Sequence, residues 1–229
     1  MGLTKLVVFD VAGTTAKDDG LVIRAFQNAV MSFGVQESSP ELAEMTKYVI
    51  DTMGQRKLDV LTHLYGGDLV KANQAHDRFI TEYIGLVASG ELEEFEGITD
   101  LFKLLRAKGV GVAITTGFPR EILDLILEKL AWNEVIDLSV AASEVAEGRP
   151  APDMIFRSVE IYNIMRGTSI GMEEVIVVGD TETDMESGVR SGAATVVGVT
   201  SGSRSRERLE DAGATHVFAF STKIIGLID

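Results

Sequence analysis

Asp10 closes a short apolar run, residues 6–9, and is followed at once by Val11-Ala12-Gly13-Thr14-Thr15. A carboxylate at the end of a buried strand, ahead of a glycine turn and two hydroxyls, can attack an electrophile or hold a cation beside an anion. Three later segments offer matching groups. Thr115-Thr116-Gly117 supplies hydroxyls, Gly148-Arg149-Pro150 sets a cation in a rigid loop, and Gly179-Asp180-Thr181-Glu182-Thr183-Asp184 supplies carboxylates. Each has a bland explanation when taken singly: a solvated aspartate, a strand end, a surface arginine, a turn, an acid favoured by a helix N-terminus. Four such elements, in this order and each at or beside a strand end, rarely coincide by chance. Together they describe phosphoryl transfer. A carboxylate such as Asp10 can attack phosphorus, and two or three carboxylates with waters suit Mg²⁺. Thr116 bonds a phosphoryl oxygen, and Arg149 offsets the charge of phosphate and nucleophile together.

These groups need a scaffold that brings strand ends to one edge. The unbroken apolar run at 6–9 predicts a strand covered on both faces, as in a parallel sheet. From about residue 97 the sequence alternates. Helices are predicted over 98–108, 120–130, from 153 onward, 183–191 and 204–212. Strands are predicted over 110–115, weakly over 135–140, and over 175–178, 195–199 and 216–220, with a last turn at 224–228. Such alternation predicts an α/β, Rossmann-like doubly wound parallel sheet, whose ligands gather at the carboxyl ends of the strands. Residues 21–89 read as helical throughout, with no strand pattern. Apolar residues recur at helical spacing over 21–33, Ser39-Pro40 opens a helix to about residue 52, a short helix spans 56–65, and Asp68 caps another to about residue 88. The expected organisation is a core of residues 1–16 and 97–229 with an all-helical cap of residues 17–96, hinged near 89–97.

Composition limits the alternatives. Of 229 residues 45% are apolar, enough for a sizeable core. No apolar run reaches about 18 residues, so no transmembrane helix is expected, nor is a signal peptide. There are no cysteines, which fits a cytoplasmic protein. The formal net charge of −14 argues against nucleic acid as a partner. It also means that an anionic substrate needs a metal ion or local arginine and lysine to be held. The run Ser203-Arg204-Ser205-Arg206-Glu207-Arg208 reads as a solvated helix start, and His76 and His216 as structural.

The ordered motifs resemble the haloacid dehalogenase superfamily over nearly the whole chain, and within it the phosphonatases. That resemblance implies a nucleophile at Asp10, a phosphoryl-binding hydroxyl at Thr116, a cationic position at Arg149, and Mg²⁺ held by Asp10, Asp180, Asp184 and the backbone carbonyl of Ala12. In typical phosphatases of the superfamily a second aspartate stands two residues after the nucleophile and does the acid–base work. Ala12 stands there in this chain, and a phosphate ester hydrolase without that group loses about 10²–10⁴ in rate. Phosphonatases carry alanine at this position too. They break a P–C bond through an imine formed by a cap lysine in a Met-Gly-x-x-Lys setting. Met53-Gly54-Gln55-Arg56-Lys57 matches it, which makes Lys57 the Schiff-base candidate and places substrate against Ala12, Gly13, Met53, Gly54 and Gly117. For Lys57 to react it must be partly neutral, through burial or a neighbouring cation such as Arg56. The family's histidine, three residues after the lysine, is Val60 here, and His63 follows one helical turn further on. The expected activity is P–C cleavage of a small phosphonate. The alternatives are a phosphomonoesterase on a small organic phosphate and a non-catalytic phosphometabolite-binding protein. No membrane partner is expected, and the resemblance suggests a homodimer through the cap, though a cap–core contact explains the same apolar helix faces.

Overall fold

Leu6–Phe9 forms β1, buried along its whole length. Its side chains alternate between two cores, Val7 and Phe9 in one and Leu6 and Val8 in the other. The computed structural model describes residues 3–90 and 92–228. After β1 come β2 (Ala16–Lys17), α1 (Leu21–Met31), α2 (Pro40–Asp51), α3 (Lys57–Leu64), α4 (Leu69–Ala88) and β3 (Glu93–Glu94). Then follow α5 (Ile98–Ala107), β4 (Gly111–Thr116), α6 (Arg120–Lys129), β5 (Leu138–Ala141), α7 (Asp153–Arg166), β6 (Val175–Gly179), α8 (Glu182–Ser191), β7 (Thr195–Val199), α9 (Arg206–Asp211) and β8 (His216–Phe218).

Six strands form one parallel sheet in the order β5-β4-β1-β6-β7-β8. The chain runs outward from β1 through β4 to β5, then returns to the far side of β1 to lay down β6. The order therefore reverses between β1 and β6, the place where such sheets bind ligands. Phe9 pairs with Ile114 on β4 and with Val178 on β6. Asp10, Thr115 and Gly179 therefore reach the same edge side by side.

Helices α1–α4 pack on one another, α1 against α2 and α4, and α3 against α4. Their apolar faces, among them Leu21, Phe26, Leu61, Phe79 and Tyr83, belong to the same core as Val7 and Phe9. The caps are those the sequence predicts. The Ser39 side chain accepts from Leu42 N–H, and that of Asp68 accepts from Val70 and Lys71 N–H. Among the described residues no helix is long and apolar enough to cross a membrane.

Four details differ from the sequence expectation. β2 and β3 pair as a two-residue antiparallel ribbon, fastened by Lys17 to Glu93 at 2.7 Å; strands this short leave no periodicity to read. The weak strand at 135–140 begins only at Leu138, because Trp132 is fully buried and Val135 and Ile136 turn back to bond its carbonyl oxygen. β8 stops at Phe218, and residues 221–227 form a 3₁₀ turn. Helix α9 starts at Arg206 behind the Ser205 cap, leaving Arg204 buried rather than solvated. The expected hinge includes Glu91, which lies outside the described residues, as do residues 1, 2 and 229 of the expected core.

Candidate active site

Asp10 lies at the sheet's reversal point, held by its N–H to Val178 O at 2.9 Å and by its carbonyl, which accepts from Thr15 Oγ1 at 2.8 Å. Gly13 turns the following loop at φ +82°, and a Cβ there would lie 2.5 Å from Asp180 Oδ2. Only glycine allows both the conformation and the approach. Thr14 donates to Asp180 Oδ1 at 2.9 Å. Asp184, in the first turn of α8, accepts from Thr181 Oγ1 at 2.5 Å and from Thr181 N–H at 3.1 Å. One oxygen from each of Asp10, Asp180 and Asp184 lies within 4.8 Å of the others, and all three residues are buried.

Arg149 binds this cluster together. It donates to Asp10 Oδ1 at 2.5 Å and to Thr115 Oγ1 at 2.6 Å, and its Nε lies 2.9 Å from Asp184 Oδ1. Two of the three carboxylates therefore share one guanidinium, and the third, Asp180, feels its charge. Burial pushes the Asp10 carboxyl up to about 6, Arg149 pulls it down, and Asp184 adds to the rise. Asp180 is pushed well above the usual carboxylate range by burial, then by Asp10 and Asp184. Such an excess of buried negative charge is relieved by protons or by a cation. The all-oxygen donor set, with Gly13 and Gly202 packed against Asp180, fits a hard divalent ion such as Mg²⁺.

The helical segment covers this edge. Lys57, first residue of α3, is buried, and with Asp10, Ala12, Val22, Met53, Gly54, Thr116, Gly117, Phe118 and Thr181 it lines a small cavity of about 20 Å³. Its amine donates to Gln55 O at 3.3 Å and lies 5.6 Å from the centre of the Phe118 ring. Burial lowers its pKa from 10.5 to about 8, against the opposing pull of Asp10 and Asp18. Thr116 Oγ1 accepts from Phe118 N–H at 3.3 Å. Its hydroxyl proton remains for another acceptor. The cover is seated closely. Lys57 N–H donates to Gly117 O at 3.3 Å, Thr183 Oγ1 to Met53 O at 3.3 Å, and Arg56 to Val145 O and Ala146 O at 2.7 and 3.1 Å. A Cβ on Gly117 would lie 2.5 Å from Gln55 O.

The structure thus gathers Asp10, Ala12, Gly13, Met53, Gly54, Lys57, Thr116, Gly117, Arg149, Asp180 and Asp184 at one edge. His63 does not join them; it is exposed and stacked on Tyr48 at 4.4 Å. Val60 is buried in the apolar core. Sequence reasoning missed Phe118, Val22 and Asp18. Asp18 is a half-buried carboxylate that accepts from Val22 N–H at 3.2 Å, and its pKa is raised by burial and lowered by Lys57. Its only sequence signal was its place before a helix start.

Residues 7–198 match the profile of the haloacid dehalogenase-like hydrolases. The chain is 29% identical over 202 residues to a phosphonoacetaldehyde hydrolase of Paraburkholderia xenovorans, covering 84% of this chain and 73% of that protein. It is 25% identical over 205 residues to a phosphoglycolate phosphatase of Aquifex aeolicus, covering 84% of each. Among solved structures it resembles a phosphonoacetaldehyde hydrolase-like protein from Oleispira antarctica, with a TM-score of 0.78 at 21% identity over 99% of this chain and 91% of that one. A hydrolase from Pseudomonas syringae gives a TM-score of 0.80 at 21% identity over 98% and 97% of the two chains.

Proposed function

The chain belongs to the haloacid dehalogenase-like hydrolases, and from that premise we propose that it cleaves the P–C bond of phosphonoacetaldehyde or a related small phosphonate. The observation that carries this reading is Lys57. A buried amine with its pKa lowered to about 8 faces the same small cavity as Asp10, and the residue two after Asp10 is the methyl group of Ala12. That pairing suits imine chemistry and leaves an ester hydrolase without its usual acid.

In this reading residues 17–96 are a cap that opens to admit substrate, since about 20 Å³ holds little more than one water. The neutral Lys57 amine condenses with the aldehyde, releasing water and forming an iminium. A carboxylate oxygen of Asp10 attacks phosphorus, and the P–C electron pair moves through carbon onto the iminium nitrogen to give an enamine. Arg149 and Thr116 hold the phosphoryl oxygens. Protonation of the enamine carbon and hydrolysis return acetaldehyde and free Lys57. A second water cleaves the aspartyl-phosphate to inorganic phosphate. Mg²⁺ held by Asp10, Asp180, Asp184 and the Ala12 carbonyl would supply further neutralisation of phosphoryl charge. Net, one water is consumed per phosphonate cleaved.

A second reading, a phosphomonoesterase on a small organic phosphate, is favoured by one feature. Val60 leaves no imidazole on the turn after Lys57, while Asp18, electrostatically coupled to Lys57, offers a carboxyl. Phosphate release from phosphonoacetaldehyde with Mg²⁺, run with and without borohydride beside a panel of small phosphate esters, separates the two. Turnover of the aldehyde with the two-carbon unit trapped on Lys57 is the expected result. Ester hydrolysis alone, indifferent to Lys57→Ala, would overturn the proposal.

A further inference from the structure

Arg204 belongs to the arginine run that sequence reasoning assigns to solvent, yet its side chain is only 4% exposed. Its Nε pairs with Glu182 Oε2 at 2.7 Å, and its Nη2 donates to Ile50 O at 2.6 Å. Its Nη1 reaches Ser203 Oγ at 3.3 Å. Ile50 lies in the last turn of α2, at the negative end of the helix dipole, and its carbonyl also accepts from Met53 N–H at 3.3 Å. A guanidinium there is a charge-assisted clasp between the sheet side and the helical segment.

The clasp sits where it can govern the site. Four residues after Ile50, Gly54 takes φ +90° with no room for a Cβ beside Thr181 and Thr183, and three residues later comes Lys57. On the other side, Glu182 immediately precedes Thr183, which holds Met53 O, and both lie in the turn of α8 that presents Asp184. Thr181 Oγ1 bonds Asp184 and lies 3.0 Å from Thr183 Oγ1, so bonded contacts run from the carboxylate cluster to the Met53 backbone. Ile50, Met53 and Ser203 also line a cleft of about 480 Å³ that shares Ala12 and Met53 with the small cavity beside Lys57. Parting Arg204 from Ile50 would join that cleft to the cavity and give substrate a way in.

We infer that Arg204 is a positioning residue: by holding the Ile50 carbonyl it fixes the 52–56 loop so that Lys57 stands at the cavity beside Asp10, with that cavity shut off from the cleft. The inference rests on the role given to Lys57 above, but its test does not depend on which bond the enzyme breaks. The full-length protein, with Arg204→Lys and Arg204→Ala variants, is treated with trinitrobenzenesulfonate, and modification of each lysine is timed by peptide mass spectrometry. In Arg204→Ala, Lys57 is expected to react about tenfold to a hundredfold faster, the factor one charge-assisted hydrogen bond places on an equilibrium. Lys47 and Lys103 should react at wild-type rates. The kcat for phosphate release should fall while KM changes little, and Arg204→Lys should lie between. If Arg204→Ala does not fold, Glu182→Gln, which removes the partner orienting the guanidinium, should move Lys57 labelling in the same direction.

Unchanged Lys57 labelling in a folded Arg204→Ala protein overturns the inference, as does equal acceleration at every lysine, which marks general loosening. The two readings fail separately. A wild-type enzyme inert toward phosphonoacetaldehyde sinks P–C cleavage and leaves the labelling result standing. An active wild type whose Arg204→Ala variant labels normally does the reverse.

Discussion

Arg149 donates to Asp10 at 2.5 Å while its Nε, 2.9 Å from Asp184, spans to the next carboxylate. One planar fork thus ties the candidate nucleophile to a candidate metal ligand. A lysine has a single nitrogen and cannot reach Asp10, Asp184 and Thr115 together. Arg149→Lys is expected to lose part of the activity and Arg149→Ala about 10²–10³ of it, as for a lost charge-stabilising donor. Arg149→Ala should also destabilise the fold by about 3–5 kcal/mol, since it leaves three buried carboxylates without their cation. Phosphate release and urea denaturation, with and without Mg²⁺, measure both effects; wild-type stability in Arg149→Ala would refute the account.

The raised carboxyl pKa values should make stability depend on pH, and a bound divalent ion should change that dependence. The folded-state pKa of Asp10, about 6, lies above its unfolded value of 3.8, and Asp180 moves in the same direction. Across that interval the folded protein holds more protons than the unfolded chain, so metal-free stability falls as pH rises. A divalent ion replaces those protons. Mg²⁺ should therefore raise the melting temperature more at about pH 8 than at about pH 5, approaching about 2.7 kcal/mol of stabilisation at a hundred times its Kd. Equal shifts at both pH values would count against a metal site on these residues.

Lys57 should show the opposite dependence. Its folded pKa of about 8 lies below the unfolded 10.5, so its contribution to stability grows as pH rises between those values. Borohydride trapping of an aldehyde on Lys57 should increase through pH 8, where the amine becomes neutral. Lys57→Met is expected to abolish trapping and yet stabilise the protein at neutral pH by about 1–3 kcal/mol, because burial of the charged amine is what lowers its pKa. A Lys57→Met protein less stable than wild type would mean that the amine is not held under strain.

At Gly117 the backbone after β4 packs tightly against the loop that precedes α3. An added Cβ would press on Gln55 O at 2.5 Å and Gly54 O at 2.8 Å, both backbone atoms that cannot swing aside. Gly117→Ala should hold the helical segment ajar, lowering kcat by about tenfold to a hundredfold with little effect on secondary structure. Stopped-flow turnover beside circular dichroism tests this, and an unaltered kcat would show that closure tolerates the extra atom.

Much of this site could be read before the fold was seen, for a physical reason. Asp10, Thr116, Asp180 and Asp184 sit at or beside the ends of strands whose apolar runs are plain, and a parallel sheet lines up its strand ends. Lys57 was legible through its Met-Gly setting and its helix. Arg204 was not, because a charge in a polar run looks solvated until a distant helix end is seen to meet it. Nor was the β2–β3 ribbon, whose two-residue strands are defined by their partner alone. Trp132 reads as packing, but its indole donates to Glu94 Oε2 at 2.9 Å across 38 positions, a pairing that no local pattern encodes.

Ala12 offers the sharpest separation of the two candidate chemistries. Ala12 lines the same cavity as Asp10 and Lys57, at the position where typical phosphatases of the superfamily carry an acid. Ala12→Asp would place a carboxyl beside the leaving-group position. For a phosphate ester this supplies the missing proton donor, and hydrolysis should rise by about 10². For a phosphonate it supplies nothing, because the leaving electrons go to an iminium and not to an oxygen awaiting a proton. The new negative charge would also draw the Lys57 pKa back toward 10.5, leaving less neutral amine to condense with an aldehyde. P–C cleavage and borohydride trapping should therefore fall in the variant that gains esterase activity. Steady-state rates on both substrate classes, measured in parallel, decide it. If Ala12→Asp left ester hydrolysis unimproved, the acid would not be what the wild-type site lacks, and a carboxyl already present, with Asp18 the first candidate, would have to be supplying the proton.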